Sequence, residues 1–277
     1  MTSIELMAQT GDVLGECPVV HRAQGGVFWV DVERRLLRRL RSDDGAIDEW
    51  TLPEKIGSFG FRGSQLVVAL ESGLYEFSLK EQGLRAVATP ESGSGTRFND
   101  GKCDPRGRFW AGTMHPTGAE RMGSLYCLEL DGQCRHALSG FGIPNGLAWS
   151  PDARTMYIAD SMDRAIYALD YDLATGAIGN RRVFADTSGL PGVPDGAATD
   201  DQGHLWSAQC GGWLLVRYAQ DGTVDRTVDL PVQYPTSCAF DDDGLSLYVT
   251  TAIWDIPPEE RAMGQPLAGG LLRVDAS

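Results

Sequence analysis

The sequence predicts an all-β protein, a six-bladed β-propeller formed by residues 1–277 as a single domain and closed by the N-terminal strand joining the last blade. Three observations predict it. One short pattern recurs: a turn of Asp, Pro and Gly, an apolar strand, a polar turn and a second strand. The copies are "GGVFWVDVERRLLRRLR", "GSQLVVALESGLYEFSL", "GRFWAGTM…GSLYCLEL", "ARTMYIADSMDRAIYALD", "GHLWSAQCGGWLLVRYA" and "GLSLYVTTA…GGLLRVDA". With Phe28, Leu66, Phe109, Met156, Leu205 and Leu247 taken as equivalent, successive copies lie 38, 43, 47, 49 and 42 residues apart, a period typical of propeller blades. Second, segments such as "TMYIAD" and "LSLYVTT" are rich in β-branched and aromatic residues, and no long stretch keeps apolar residues at helical spacing. Third, the last copy supplies only three strands before Ser277, while "SIELMAQ" near the N-terminus belongs to no copy. Pairing that segment with the last blade removes two exposed sheet edges at once.

Composition excludes some classes. The chain carries 38 acidic and 24 basic residues, a formal charge of -14, which argues against a nucleic-acid or anionic-membrane surface. The N-terminus lacks the basic start and apolar run of a signal peptide, and no stretch has the roughly 18 apolar residues of a membrane helix. A cytoplasmic protein, monomeric or weakly oligomeric, is expected. Six cysteines without CxxC spacing indicate neither a zinc site nor a disulfide framework. His21, His115, His136 and His204 show no ligand spacing, so a His-based metal site or a Ser-His-Asp triad is unsupported.

The chemistry concentrates ahead of the innermost strands. In a propeller those strands line the central channel, and residues just before them gather at one mouth. Asn145 in "GIPNGLAWSP" and Asp195 in "GVPDGAATDD" hold equivalent places in consecutive blades. Thr236, Asp100 and Glu16 are read as their counterparts elsewhere. Two readings stand side by side: Glu16, Asn145 and Asp195 form an open oxygen-donor site for a divalent cation, or Asn-Gly and Asp-Gly serve only as tight turns. Glu16, which is no turn former and precedes Cys-Pro, favours the first. In "RFNDGKCDPRGRFWAGTM", Arg97 and Asn99 are either donors to a polyhydroxylated ligand or a paired arginine and a turn cap. Trp29, Trp110, Trp149 and Trp206 are read as packing between blades.

The ordered set "GECPV", "RFNDGKCDPRGRFWAGTM", "GSLY", "PNGLAWSPD", "YIADS" and "PDGAATDDQGHLWSAQCGG" resembles the SMP-30/gluconolactonase/luciferin-regenerating-enzyme family. The resemblance implies a metal-dependent lactonase acting on a small-molecule sugar lactone. It implies one divalent cation, calcium or zinc first, with manganese, magnesium or iron(II) as alternatives, held by Glu16, Asn145 and Asp195. It makes Asp195 the catalytic proton carrier and Arg97 and Asn99, with Asp100 beside them, the substrate-binding set. Animal members carry an acidic pocket residue after "GTM", where this chain has His115, Pro116 and Thr117. A promiscuous esterase or phosphotriesterase and a non-enzymatic calcium-binding propeller remain the rival readings.

Overall fold

The computed structural model describes residues 2–277. Six four-stranded antiparallel sheets follow one another along the chain, five of them continuous at 15–51, 56–88, 97–141, 144–186 and 193–229. The sixth takes three strands from 235–275 and its outer strand from Ile4–Gln9, as the missing-strand argument requires. Ile4 pairs with Val274 and Gln9 with Gly270, with a bulge between Leu6 and Ala8. The only α-helix among the described residues, Pro258–Gly264, sits in the loop that precedes the last strand. No helix among them is long and apolar enough to cross a membrane.

The innermost strand of each blade touches that of the next, and the innermost strand of blade 6 (Pro235–Phe240) touches that of blade 1 (Gly15–His21), so the ring is closed. Apolar clusters fill each wedge between neighbouring sheets, such as Phe28, Phe59 and Val68 between blades 1 and 2. Trp29, Trp110 and Trp206 lie fully buried on second strands, each donating its indole N–H to an aspartate: Asp12 at 2.8 Å, Asp104 at 3.5 Å and Asp200 at 3.3 Å. These three pack between blades as expected. Trp149 is not their equivalent: it ends an innermost strand, Pro144–Trp149.

Every innermost strand breaks register near its start. The shifts fall between Glu16 and Val19, Ile56 and Ser58, Phe98 and Gly101, Asn145 and Ala148, Pro194 and Ala197, and Pro235 and Ser237. A bulge adds unpaired backbone and re-aims a side chain. The recurring Pro-Asn-Gly and Pro-Asp-Gly are therefore bulges, and the glycine follows from crowding at the axis. A Cβ on Gly146, whose φ is +60°, would lie 2.7 Å from the Asp195 carbonyl oxygen, and one on Gly196 would lie 2.6 Å from Ser237 Cα. Gly196→Ala should accordingly cost about 2 kcal/mol or more, read as a lowered urea midpoint. Gly179→Ala, with nothing within 4 Å of the new methyl, should stay within about 0.5 kcal/mol.

Candidate active site

The strand starts of blades 1, 3, 4 and 5 border a cavity of about 540 Å³ at the mouth where the innermost strands begin, lined in part by Glu16, Arg97, Asn99, Asn145 and Asp195. Five of the seven residues singled out in the sequence thus line one cavity, while Thr236 donates its hydroxyl to the Gly15 carbonyl and Asp100 lies off the wall. Buried carboxylates fix two of the bulges from behind. Asp31 accepts from Val13 N at 3.0 Å just before Glu16, and Asp160 accepts from Gly142 N at 2.8 Å and Ile143 N at 3.0 Å just before Asn145. Each aspartate ends a second strand and ties down the chain that enters the first.

Asp100 departs from the expectation. Phe98, Pro144 and Pro194 share one level of pairing, opposite Thr113, Asp160 and Gln209. The residue level with Asn145 and Asp195 is therefore Asn99, while Asp100 takes the place of Gly146 and Gly196. Its carboxylate is buried off the cavity wall, accepting from Gly101 N at 2.8 Å, Leu147 N at 3.2 Å and Cys17 Sγ at 3.4 Å. Asp100 braces blades 1, 3 and 4 at the axis and leaves the donor work to Arg97, since both amide N–H groups of Asn99 are taken by the Pro144 carbonyl at 3.1 Å and by Asn145 Oδ1.

A hydrogen-bond chain crosses three blades. Arg97 Nη1 donates to Asn99 Oδ1 at 3.1 Å, Asn99 Nδ2 to Asn145 Oδ1 at 2.7 Å, Asn145 Nδ2 to Ser161 Oγ at 2.9 Å, and Ser161 Oγ to the Pro194 carbonyl at 2.6 Å. Because the Ser161 hydroxyl spends its proton on that carbonyl, it accepts from Asn145 Nδ2, and the Asn145 oxygen is held on the side of Asn99. Arg97 forms no ion pair among the described residues; its other bond runs to the Phe98 carbonyl at 2.9 Å, and its remaining N–H groups find no protein acceptor. The pairing and turn-capping reading of Arg97 and Asn99 is not what the structure builds.

The electrostatics favour a cation. Burial, then the charges of Asp195 and Asp100, push the Glu16 carboxyl well above its usual range, against the hydrogen bond from Cys17 N. Burial and Asp100 do the same to Asp195, although its Gly196 N–H and Cys210 thiol bonds oppose it. Asp100 itself is raised by burial, against the Lys102 ammonium. Among the described residues no group of three His, Cys, Asp or Glu side chains is set to hold a metal; the set here is two carboxylates and one amide oxygen. Such hard oxygen donors, acidic and under-compensated, fit a divalent cation with open positions.

Several wall residues had no role in the sequence reading. Ser161 stands in the quoted "YIADS" and Cys210 in "SAQCGG", and their position directly after a second-strand residue level with Pro144 or Pro194 is the signal that places them. Glu33, paired with Lys55 at 2.7 Å, and Trp254 lie on loops with no motif to mark them. Of the segment after "GTM", Pro116 and Thr117 line the cavity, while His115 stays off the wall with its Nδ1 3.1 Å from the Thr117 hydroxyl.

Comparison with known proteins shows the family. The profile described as "SMP-30/Gluconolactonase/LRE-like region" matches residues 14–253. The chain belongs to that family. It is 36% identical to a 6-deoxy-6-sulfogluconolactonase of Pseudomonas putida over 96% of this chain and 92% of the relative. It is also 36% identical to an L-arabinolactonase of Azospirillum brasilense over 96% of this chain and 89% of that one. Among solved structures it matches a protein described as calcium-binding, a regucalcin from Agrobacterium tumefaciens, with a TM-score of 0.93, 28% identity and coverage of 100% and 96%.

The raised carboxyls of this family member set a pH dependence. In chelator-treated protein, Glu16 and Asp195 keep their protons in the fold above their ordinary values of 4.5 and 3.8. The folded state then binds more protons than the unfolded chain, so stability falls as pH rises through and beyond that range. Surface aspartates with lowered values, such as Asp152, act below it. Urea unfolding in chelator should show lower stability at about pH 7 than at about pH 5, with a smaller difference in Glu16→Gln.

Proposed function

We propose that this protein hydrolyses a sugar aldonolactone to its aldonic acid, with one divalent cation held by Glu16, Asn145 and Asp195. One observation carries the reading: a single cavity joins an under-compensated acidic oxygen set to the unspent N–H donors of Arg97. Relatives at 36% identity named as sugar lactonases support it, and the calcium-binding description of the regucalcin structure supports a divalent ion.

When bound, the cation supplies Lewis acidity toward the lactone carbonyl oxygen. Glu16 and Asn145 hold it through a carboxylate and an amide oxygen, the latter fixed by Ser161 and Asn99. Asp195 takes a proton from the attacking water as the water oxygen bonds to the carbonyl carbon. The ring C–O bond then breaks, its electron pair goes to the ring oxygen, and that oxygen receives the proton from Asp195. The new carboxylic acid loses its proton to solvent. Arg97 donates to ring hydroxyls and thereby holds the carbonyl over Asp195, a positioning effect that a substrate without hydroxyls cannot use.

The test is a panel of aldonolactones, aryl esters and phosphotriesters, with and without chelator. Chelator should abolish lactone turnover and a divalent cation should restore it, while kcat/KM for aldonolactones exceeds that for the other esters. Better turnover of aryl esters or phosphotriesters would move the protein to the broader hydrolase reading. Asp195→Ala should lower kcat about 10³-fold. Arg97→Ala should lower kcat/KM for lactones and leave cation binding by calorimetry intact. Ser161→Ala, which frees the Asn145 amide, should weaken cation binding about tenfold; unchanged binding would remove the orienting role of Ser161.

A further inference from the structure

We infer that Trp254 is the apolar wall of the substrate site, stacking on the C–H face of the lactone ring while Arg97, oriented by Asn99, holds its hydroxyls from across the mouth. The inference rests on the sugar-lactone reading and goes beyond it by assigning a specificity residue outside the propeller's recurring motifs.

Trp254 is 62% exposed, yet it lines the same cavity as Glu16 and Asp195 and is the only aromatic residue among the described residues to do so. Its place is opposite the donors. Arg97 and Asn99 begin the innermost strand of blade 3, Trp254 follows the second strand of blade 6, and in a closed ring of six these blades face each other. A ring entering the cavity therefore meets N–H donors on one side and an indole on the other.

The indole is held ready for that contact. Ile253 N donates to the carbonyls of Asp12 at 3.1 Å and Val13 at 3.2 Å, and Ile256 N closes a turn on the Ile253 carbonyl at 3.1 Å, with Trp254 inside it. The ring lies nearly parallel to that of Tyr234, 14° between planes and 6.5 Å between centroids. Tyr234 is itself fixed where its carbonyl accepts from Ala252 N at 3.0 Å. A large apolar side chain kept so exposed by its backbone and a neighbouring ring has little to do for the core. The negative face of an indole suits the partly positive C–H groups that a sugar ring presents on one side, and sites of this kind pair a few polar donors with an aromatic surface.

The experiment uses protein saturated with its divalent cation, D-glucono-δ-lactone as substrate and D-glucose as a ring that cannot be hydrolysed. Trp254→Ala should raise KM about tenfold and keep kcat within about twofold, since a stacking contact made equally before and during reaction acts on binding. Trp254→Phe should restore most of the KM, a rescue that a loop-bracing role would not produce. D-Glucose should shift the tryptophan emission of the wild type and leave that of Trp254→Phe unchanged. Lactone turnover by the wild type with an unaltered KM in Trp254→Ala, or no D-glucose shift, would overturn this inference alone. A wild type that turns over no aldonolactone would sink the lactonase reading and this one with it.

Discussion

Crowding at the propeller axis is the constraint on which the site depends. Six strand starts converge on one channel, and there is no room for a side chain on each of them. The chain answers with a bulge in every innermost strand and a small residue on the inside of most bulges. What would be a packing problem becomes an aiming device in blades 4 and 5, where Asn145 and Asp195, each beside the bulge glycine, turn toward the cavity. Blade 1 shows the cost of leaving glycine out: Cys17 adopts a φ of +52°, an uncommon conformation for a residue with a side chain.

The bulges aim side chains, and a polar scaffold behind them sets their final orientation. Asp31 and Asp160 clamp the approach to Glu16 and Asn145, and the Arg97-Asn99-Asn145-Ser161 chain links blades that share no continuous sheet. The same crowding drives Glu16, Asp195 and Asp100 into mutual repulsion away from water. An arrangement that is unfavourable on its own is one that the proposed cation would relieve. On that proposal, affinity for the cation and destabilisation of the empty fold have one physical origin.

Specificity has a different source. The donor set comes from strand starts inside the repeat, whereas Glu33, Pro116, Thr117 and Trp254 come from loops between strands. Loops on a rigid ring vary without disturbing it. On one side that wall is made by Pro116 and Thr117, with the Thr117 hydroxyl 3.1 Å from His115 Nδ1.

The sequence by itself determined the fold and much of the lining of the cavity proposed as the site. Repetition at a propeller period and a last copy short by one strand were enough for six blades and their closure, because blade number and strand count are local properties that add along the chain. Glu16, Asn145, Asp195, Arg97 and Asn99 were legible because each stands in a fixed relation to an innermost strand. Register was not legible: a bulge shifts side chains by one place, and only the paired partners Thr113, Asp160 and Gln209 show that Asn99 rather than Asp100 stands level with Asn145. Nor was Trp149 separable from Trp29, Trp110 and Trp206 without knowing which strand held it. The walls supplied by Ser161, Cys210 and Trp254 were decided by the tertiary structure alone. Strand pairing within blades 4 and 5 sets Ser161 and Cys210 beside Asn145 and Asp195, and ring closure brings Trp254 of blade 6 to the same cavity, contacts that separation in sequence does not reveal.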